Sequence, residues 1–394
     1  MQARRAAEAL LPKLIAWRRH FHQNPELSFE EYETQRFILE RLREWGIPAS
    51  VCGGTGVVAE LCTAPHGPWI ALRADMDALP LTEVSDRPYA SRRAGVMHAC
   101  GHDAHMAILL GTAYLLKEWA ENWQGGVRLI FQPGEERAPG GASQLIAEGV
   151  LKERPLRALW GLHVTPQLPV GQIGLRPGPF MAASDEVEIR LRSRGGHGAY
   201  PHLTPDVVVL GAHLLTQLQL VVSRAADPRT PTVLTFGIFR AGTAPNILPT
   251  EAYLHGTLRT FEESWRTEAK SRIREITQHL AAAWQIAAEV KFAPGYPVLI
   301  NDPELTRLTH QWSADLLGPA NVVEMPLWLS SEDFAFYGKH VPTCFIRLGT
   351  AGANPATHLP VHTPAFDIAE EALAIGTALF THLAQEALRH FASL

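Results

Sequence analysis

Short apolar runs alternate with stretches of helical period along most of this 394-residue chain, and that alternation confines it to α/β architectures. Residues 11–20 and 31–45 carry helical spacing, and Gly46 supplies a C-terminal stop. Apolar runs at 56–61, 69–72, 126–131 and 158–164 read as buried strands, with helices expected at 104–119 and 142–152. Strands separated by helices imply a mostly parallel central sheet flanked by helices.

The pattern changes near Ser184. Val187, Ile189 and Leu191 alternate with charged residues, as in a strand with one wet face. A helix at 205–223, strands at 232–239 and 252–259, a long amphipathic helix at 262–284 and a strand at 288–292 follow. Strand-helix-strand-strand-helix-strand is the order of a ferredoxin-like α+β unit. After Pro294 the first pattern resumes, with a helix at 303–317, a strand at 343–348 and a closing helix at 367–390. The expected organisation is therefore residues 1–183 and 294–394 as one domain, interrupted by an inserted domain at 184–293. A chain of this length exceeds the usual size of one hydrophobic core, which agrees with two domains.

Composition narrows the function. Hydrophobic residues make up 46% and charged residues 19%, an ordinary globular balance, and a net charge of -5 leaves no electrostatic footprint for nucleic acid. The first sixteen residues lack the apolar core and cleavage site of a signal peptide, and no stretch is expected to reach the length of a membrane span. Four cysteines, at 52, 62, 100 and 344, are too few for a disulfide framework in so long a chain. The expectation is a reduced, cytoplasmic protein.

The densest chemistry is Met97-His98-Ala99-Cys100-Gly101-His102-Asp103-Ala104-His105, just before a helix. Thiolate, imidazole and carboxylate are ligands of zinc-like metals, although such a cluster can also be a structural metal site or a polar loop. Gln132-Pro133-Gly134-Glu135-Glu136 follows an apolar strand, at the end where open α/β sheets bind ligands. One of two adjacent carboxylates can coordinate metal while the other moves protons, but Glu-Glu is also a common solvated turn. His163 closes an apolar run and His362 lies in a Pro-bounded loop; alone, either is more often structural.

Taken together with Arg18-Arg19-His20-Phe21-His22, Asn24-Pro25-Glu26-Leu27, Leu72-Arg73-Ala74-Asp75-Met76-Asp77-Ala78-Leu79-Pro80, Gly195-Gly196-His197-Gly198-Ala199-Tyr200-Pro201-His202, Ser331-Glu332-Asp333-Phe334 and His362-Thr363-Pro364, these motifs resemble the co-catalytic metallo-aminoacylase and carboxypeptidase family. The resemblance spans nearly the whole chain. It is to the subfamily of hippurate hydrolases, N-acyl amino acid amidohydrolases and plant auxin-conjugate hydrolases. It implies a zinc-exopeptidase-like fold and two divalent metal ions (zinc, manganese, cobalt or nickel) held by Cys100, His102, Glu136, His163 and His362. Glu135 would be the general base for a water shared by the two ions. His197 would donate to the oxyanion, Asn246 would contact substrate, and Arg259 would grip a substrate carboxylate, its alternative being a surface ion pair. The inserted domain would act as a lid and pair two subunits.

Asp75 stands where more distant relatives have a metal histidine, so it and Asp77 are left with either a supporting or a plain structural role. The roles of His202 and Glu332 are also open. The family usually has alanine at Gly134, a change expected to loosen the turn without altering the chemistry. The resemblance implies cleavage of the amide bond of N-acetyl or N-aroyl amino acids, a small-molecule substrate with no nucleic acid or membrane partner. Alternatives are a dipeptidase or carboxypeptidase of the same family, a non-catalytic binding protein, and a structural metal site.

Overall fold

The computed structural model describes residues 2–394, apart from the side chain of Pro294. They fall into two compact units: one takes in the chain up to Gly178, Ile300–Pro326 and Asp333–Leu394, the other Pro179–Leu299 and Leu327–Glu332.

The first unit is built on an eight-stranded sheet. Its spatial order is Ala49–Cys52, Gly56–Cys62, Gly126–Gln132, Trp69–Asp75, Leu156–Pro169, Thr343–Ala351, Ile173–Leu175 and Val322–Glu324. The four strands from Gly126–Gln132 to Thr343–Ala351 run parallel, and antiparallel strands flank them. The parallel strands are buried along most of their length because helices cover them. Helix His102–Glu118 is buried on almost every side, whereas Gln2–Gln23 buries Ala7, Leu10, Leu14 and Phe21 on one stripe. Each large apolar side chain fully buried in this way stabilises the fold by roughly 1.5–3 kcal/mol.

Two boundaries differ from the sequence reading for one reason. Strand Trp69–Asp75 continues past Leu72 because Arg73 and Asp75 are buried as an ion pair, Nη1 to Oδ2 at 2.6 Å, so charge does not end the strand. The closing helix starts at Glu371 rather than Asp367, because the Asp367 carboxylate is held by Arg18 at 2.8 Å and Tyr89 at 2.9 Å. Helix Gly141–Ala147 also stops early, at a turn through Gly149 with φ +95°.

The second unit has a four-stranded antiparallel sheet in the order Thr232–Ala241, Glu251–Thr260, Ala183–Arg192, Ala287–Pro294. Helices Val207–Leu220 and Glu263–Ala283 complete the ferredoxin-like order of elements. Val187, Ile189 and Leu191 meet Leu210, Leu214 and Leu218 in its core, while the alternating residues of the strand stay wetter. Asp206 caps the first helix by accepting from the Val208 N–H at 2.8 Å. One expectation is corrected here. Val207–Ala225 is 19 residues long and apolar enough, by length and composition alone, to cross a membrane; a third of it is buried within the protein. Val208, Val209 and Leu220 remain exposed.

Candidate metal centre and active site

In the first unit, Cys100, His102, Glu135, Glu136, His163 and His362 converge beside the C-terminal ends of parallel strands. These six residues form three groupings with ligand atoms within 4.8 Å of one another: Cys100 with His102 and His163, Cys100 with Glu136 and His362, and His102 with Glu135 and Glu136. Cys100 belongs to two of them. Its Sγ lies 3.2 Å from His163 Nε2 and 3.3 Å from His362 Nε2.

Local backbone explains how each residue arrives. Glu135 and Glu136 follow strand Gly126–Gln132 across the Gly134 turn. His102 opens its helix, and Cys100 precedes it across Gly101, which has φ +86°. A Cβ at Gly101 would sit 2.3 Å from Val164 Cγ2, so only glycine lets the chain pass. His163 does not end its strand, which continues to Pro169; the neighbouring strand ends instead, its pairing stopping at Arg73 opposite Gly161. His362 has φ +64°, and its N–H donates to the Ala99 carbonyl at 2.8 Å.

Hydrogen bonds set the imidazole orientations. His102 Nδ1 donates to the Asp77 carbonyl oxygen at 2.8 Å, with Asp77 Oδ1 at 3.2 Å. His163 Nδ1 donates to the Val164 carbonyl at 2.8 Å. In the neutral form of either ring, the form that binds a cation, Nε2 is the lone-pair nitrogen. Asp77 also accepts from Ser28 at 2.6 Å and from the Glu136 N–H at 2.9 Å, so one carboxylate aligns a histidine and an acidic residue together.

These groups fit divalent cations. His102 Nε2 and Glu136 Oε1 are buried without a hydrogen bond, a costly arrangement unless a cation meets them. Burial opposes protonation of His102, but Asp75, Asp77 and Glu136 outweigh it and bring the imidazole up to about 10. Burial, with Glu136, Glu135 and Asp75, pushes the Cys100 thiol well above its ordinary range. Burial and Arg347 hold His163 well below its ordinary value, so it is neutral. The pocket concentrates negative charge and lone pairs, and its donor set is that of zinc-like ions.

The profile of peptidase family M20/M25/M40 matches residues 71–386. The chain belongs to that family. It is 41% identical over 368 residues to the N-acetyl-L-cysteine deacetylase of Bacillus subtilis, covering 92% of this chain and 85% of that one. It is 36% identical over 375 residues to thermostable carboxypeptidase 2 of Saccharolobus solfataricus, covering 94% of each. Among solved structures it resembles the YXEP protein of Bacillus subtilis, described as a dinuclear metal binding peptidase from the M20 family. There the identity is 36% and the TM-score 0.84, over 97% of this chain and 99% of that one. The chain is a metallo-amidohydrolase of the M20 family.

The other sequence-selected residues of this M20 enzyme lie in its second unit. His197 pairs with Ile247 in a two-stranded ribbon, next to Asn246, whose carbonyl accepts from the Gly198 N–H at 2.8 Å. His197 Nδ1 accepts from the Ala199 N–H at 3.0 Å, which leaves Nε2–H as a free donor. Arg259 is held by Ser331 Oγ at 3.1 Å and Thr257 Oγ1 at 3.2 Å. Among the described residues it has no carboxylate partner, so the surface ion pair weighed from the sequence is not formed.

Sequence reasoning missed the layer beneath the candidate ligands. Arg18 is wholly buried and donates to Asp103 at 2.9 Å and Asp367 at 2.8 Å, tying the first helix to the helix that starts at His102 and to the loop after His362. Arg73 joins Asp75, Gln132 and Asp333, and Gln132 accepts from Tyr337. The motif strings contained these residues. Their pairing across long separations had no local signal.

Proposed function

We propose that this M20 enzyme hydrolyses the amide bond of N-acyl amino acids at two divalent ions held by Cys100, His102, Glu136, His163 and His362. The observation that carries this reading is the thiol of Cys100 shared between two ligand groups, with the buried Glu135 beside them. When bound, the ions supply Lewis-acid activation of water and polarise the amide carbonyl. Zinc, manganese, cobalt and nickel all suit the donors.

The chain's own residues supply the rest. Glu135 takes the proton of the attacking water and delivers it to the leaving amine nitrogen. His197 Nε2–H donates to the carbonyl oxygen as charge develops there, a contribution of several kcal/mol for a donor of this kind (roughly 3–4). Asn246, beside His197, contacts the substrate. The Arg259 fork, free of any carboxylate among the described residues, binds the carboxylate of the amino acid with two parallel hydrogen bonds. These groups belong to the inserted segment 184–293, which acts as a lid whose closure excludes water. Its exposed Val208, Val209 and Leu220, with the edge strand Thr232–Ala241, suit pairing with a second copy. Four unpaired cysteines agree with a reduced, cytoplasmic setting.

A second reading, release of C-terminal residues from peptides, is favoured by the likeness to a carboxypeptidase. Both substrates present a carboxylate to Arg259 and differ in the acyl side. The test is hydrolysis of N-acetyl- and N-benzoyl-amino acids beside unblocked dipeptides, with and without chelator. Chelator-sensitive cleavage of the acylated compounds is expected. Cleavage of the dipeptides alone would replace this reading with the second.

A further inference from the structure

His105 is buried and sits one helical turn below His102, their ring centroids 5.4 Å apart. With Asp75 and His102 it forms a group whose atoms are close enough to hold a metal ion. Its hydrogen bonds exclude that use. The Val164 N–H donates to His105 Nε2 at 3.0 Å, so Nε2 carries the lone pair and Nδ1 the proton. His105 Nδ1 in turn donates to Asp75 Oδ1 at 2.6 Å. Both nitrogens are engaged, and the ring has no lone pair left for a cation.

The residue at the other end of this contact is Val164, whose carbonyl receives His163 Nδ1–H. The strand Trp69–Asp75 stops pairing with Leu156–Pro169 at Gly161, so beyond that point no backbone from that strand fixes His163. The imidazole of His105 takes over, holding the peptide unit between His163 and Val164. Asp75 is itself fixed, because its Oδ2 accepts from Arg73 Nη1 at 2.6 Å. Arg73 is anchored to Asp333 at 2.8 Å, and Asp333 accepts from the Ala142 N–H at 3.0 Å. Every side chain in this relay is buried, so none can exchange its partner for water without opening the core.

We infer that His105 is a positioning residue for the metal centre. With Asp75 it fixes the backbone from which His163 presents Nε2 to Cys100. This rests on the proposed role of His163 as a metal ligand. Asp75 thereby orients a histidine that binds backbone rather than metal.

The test is H105Q, whose amide can accept from Val164 and donate to Asp75 but cannot keep both distances, together with H105F, which can do neither. T309V serves as the comparison, since it removes a buried hydrogen bond of similar kind (Trp160 Nε1 to Thr309 Oγ1, 2.8 Å) away from the ligands. Affinity for cobalt is measured by chelator competition, and the visible absorption of the cobalt-loaded protein is recorded. The expected result is a ~10–100-fold loss of affinity in H105Q for one of two cobalt equivalents, the range typical for partners of metal ligands. A shifted absorption band, a larger loss in H105F and normal binding by T309V should accompany it. If H105F does not fold, H105Q alone decides. Wild-type affinity and spectrum in H105Q, with only a lowered melting temperature like that of T309V, would overturn the proposal. If the wild type itself binds no pair of cobalt ions, the metal-centre reading has failed instead.

Discussion

Gly134 and Glu83 show how single positions depart from what their residue types suggest. Gly134 has φ +62°, its N–H donates to Glu31 at 2.9 Å, and a Cβ there would fall 2.4 Å from the Phe29 ring. The turn is pinned rather than loosened, and alanine does not fit unless Phe29 moves. The left-handed conformation alone costs alanine ~1–2 kcal/mol, so G134A should melt measurably lower than the wild type. Glu83 is opposed by burial, yet its contacts with His22, Ser85 and the Ser91 N–H bring its carboxyl down from 4.5 to about 2. A depressed carboxyl stabilises the fold above its unfolded value, and that contribution is lost as pH falls through the folded value. E83Q should therefore be less stable than the wild type near neutrality. Denaturation across pH should show the difference closing between about 4.5 and 2; a constant difference would rule out the ionised carboxylate as its source.

At the level of elements, periodicity locates the long helices and the central strands because their partners are near in sequence or their burial is continuous. Helix Pro303–Leu317 has the bounds expected of it. The strands Ala49–Cys52, Ile173–Leu175 and Val322–Glu324 escape the sequence reading, since three or four residues are too short to show a period. The ligand candidates are legible because their chemistry is rare and their motifs compact. The supports are not: Arg18 reaches Asp103 and Asp367 from the first helix, and nothing local marks an arginine for burial. Removing it would strand two carboxylates in the interior. Chemical denaturation of R18M should show a loss of roughly 3–5 kcal/mol, the usual result of breaking a buried ion pair from one side. A loss below ~1 kcal/mol would mean that the network contributes no more than a surface pair.

Across the whole molecule, the candidate residues divide between two units: the candidate metal ligands lie in one, and His197, Asn246 and an unpaired guanidinium in the other. The second unit has an apolar helix that is only a third buried. If a second copy covers its free face, V209E should shift the protein from dimer to monomer in sedimentation without unfolding it, since Val209 is 53% exposed. An unchanged sedimentation coefficient would place any subunit contact elsewhere. Between the two adjacent carboxylates, we propose that Glu136 holds metal and Glu135 moves the proton. This division is tested most directly by measuring metal content and turnover of E135Q on an N-acyl amino acid. E135Q should keep two metal ions per chain, as in the wild type, with turnover reduced at least ~100-fold. Loss of metal in E135Q, or retention of turnover, would contradict it.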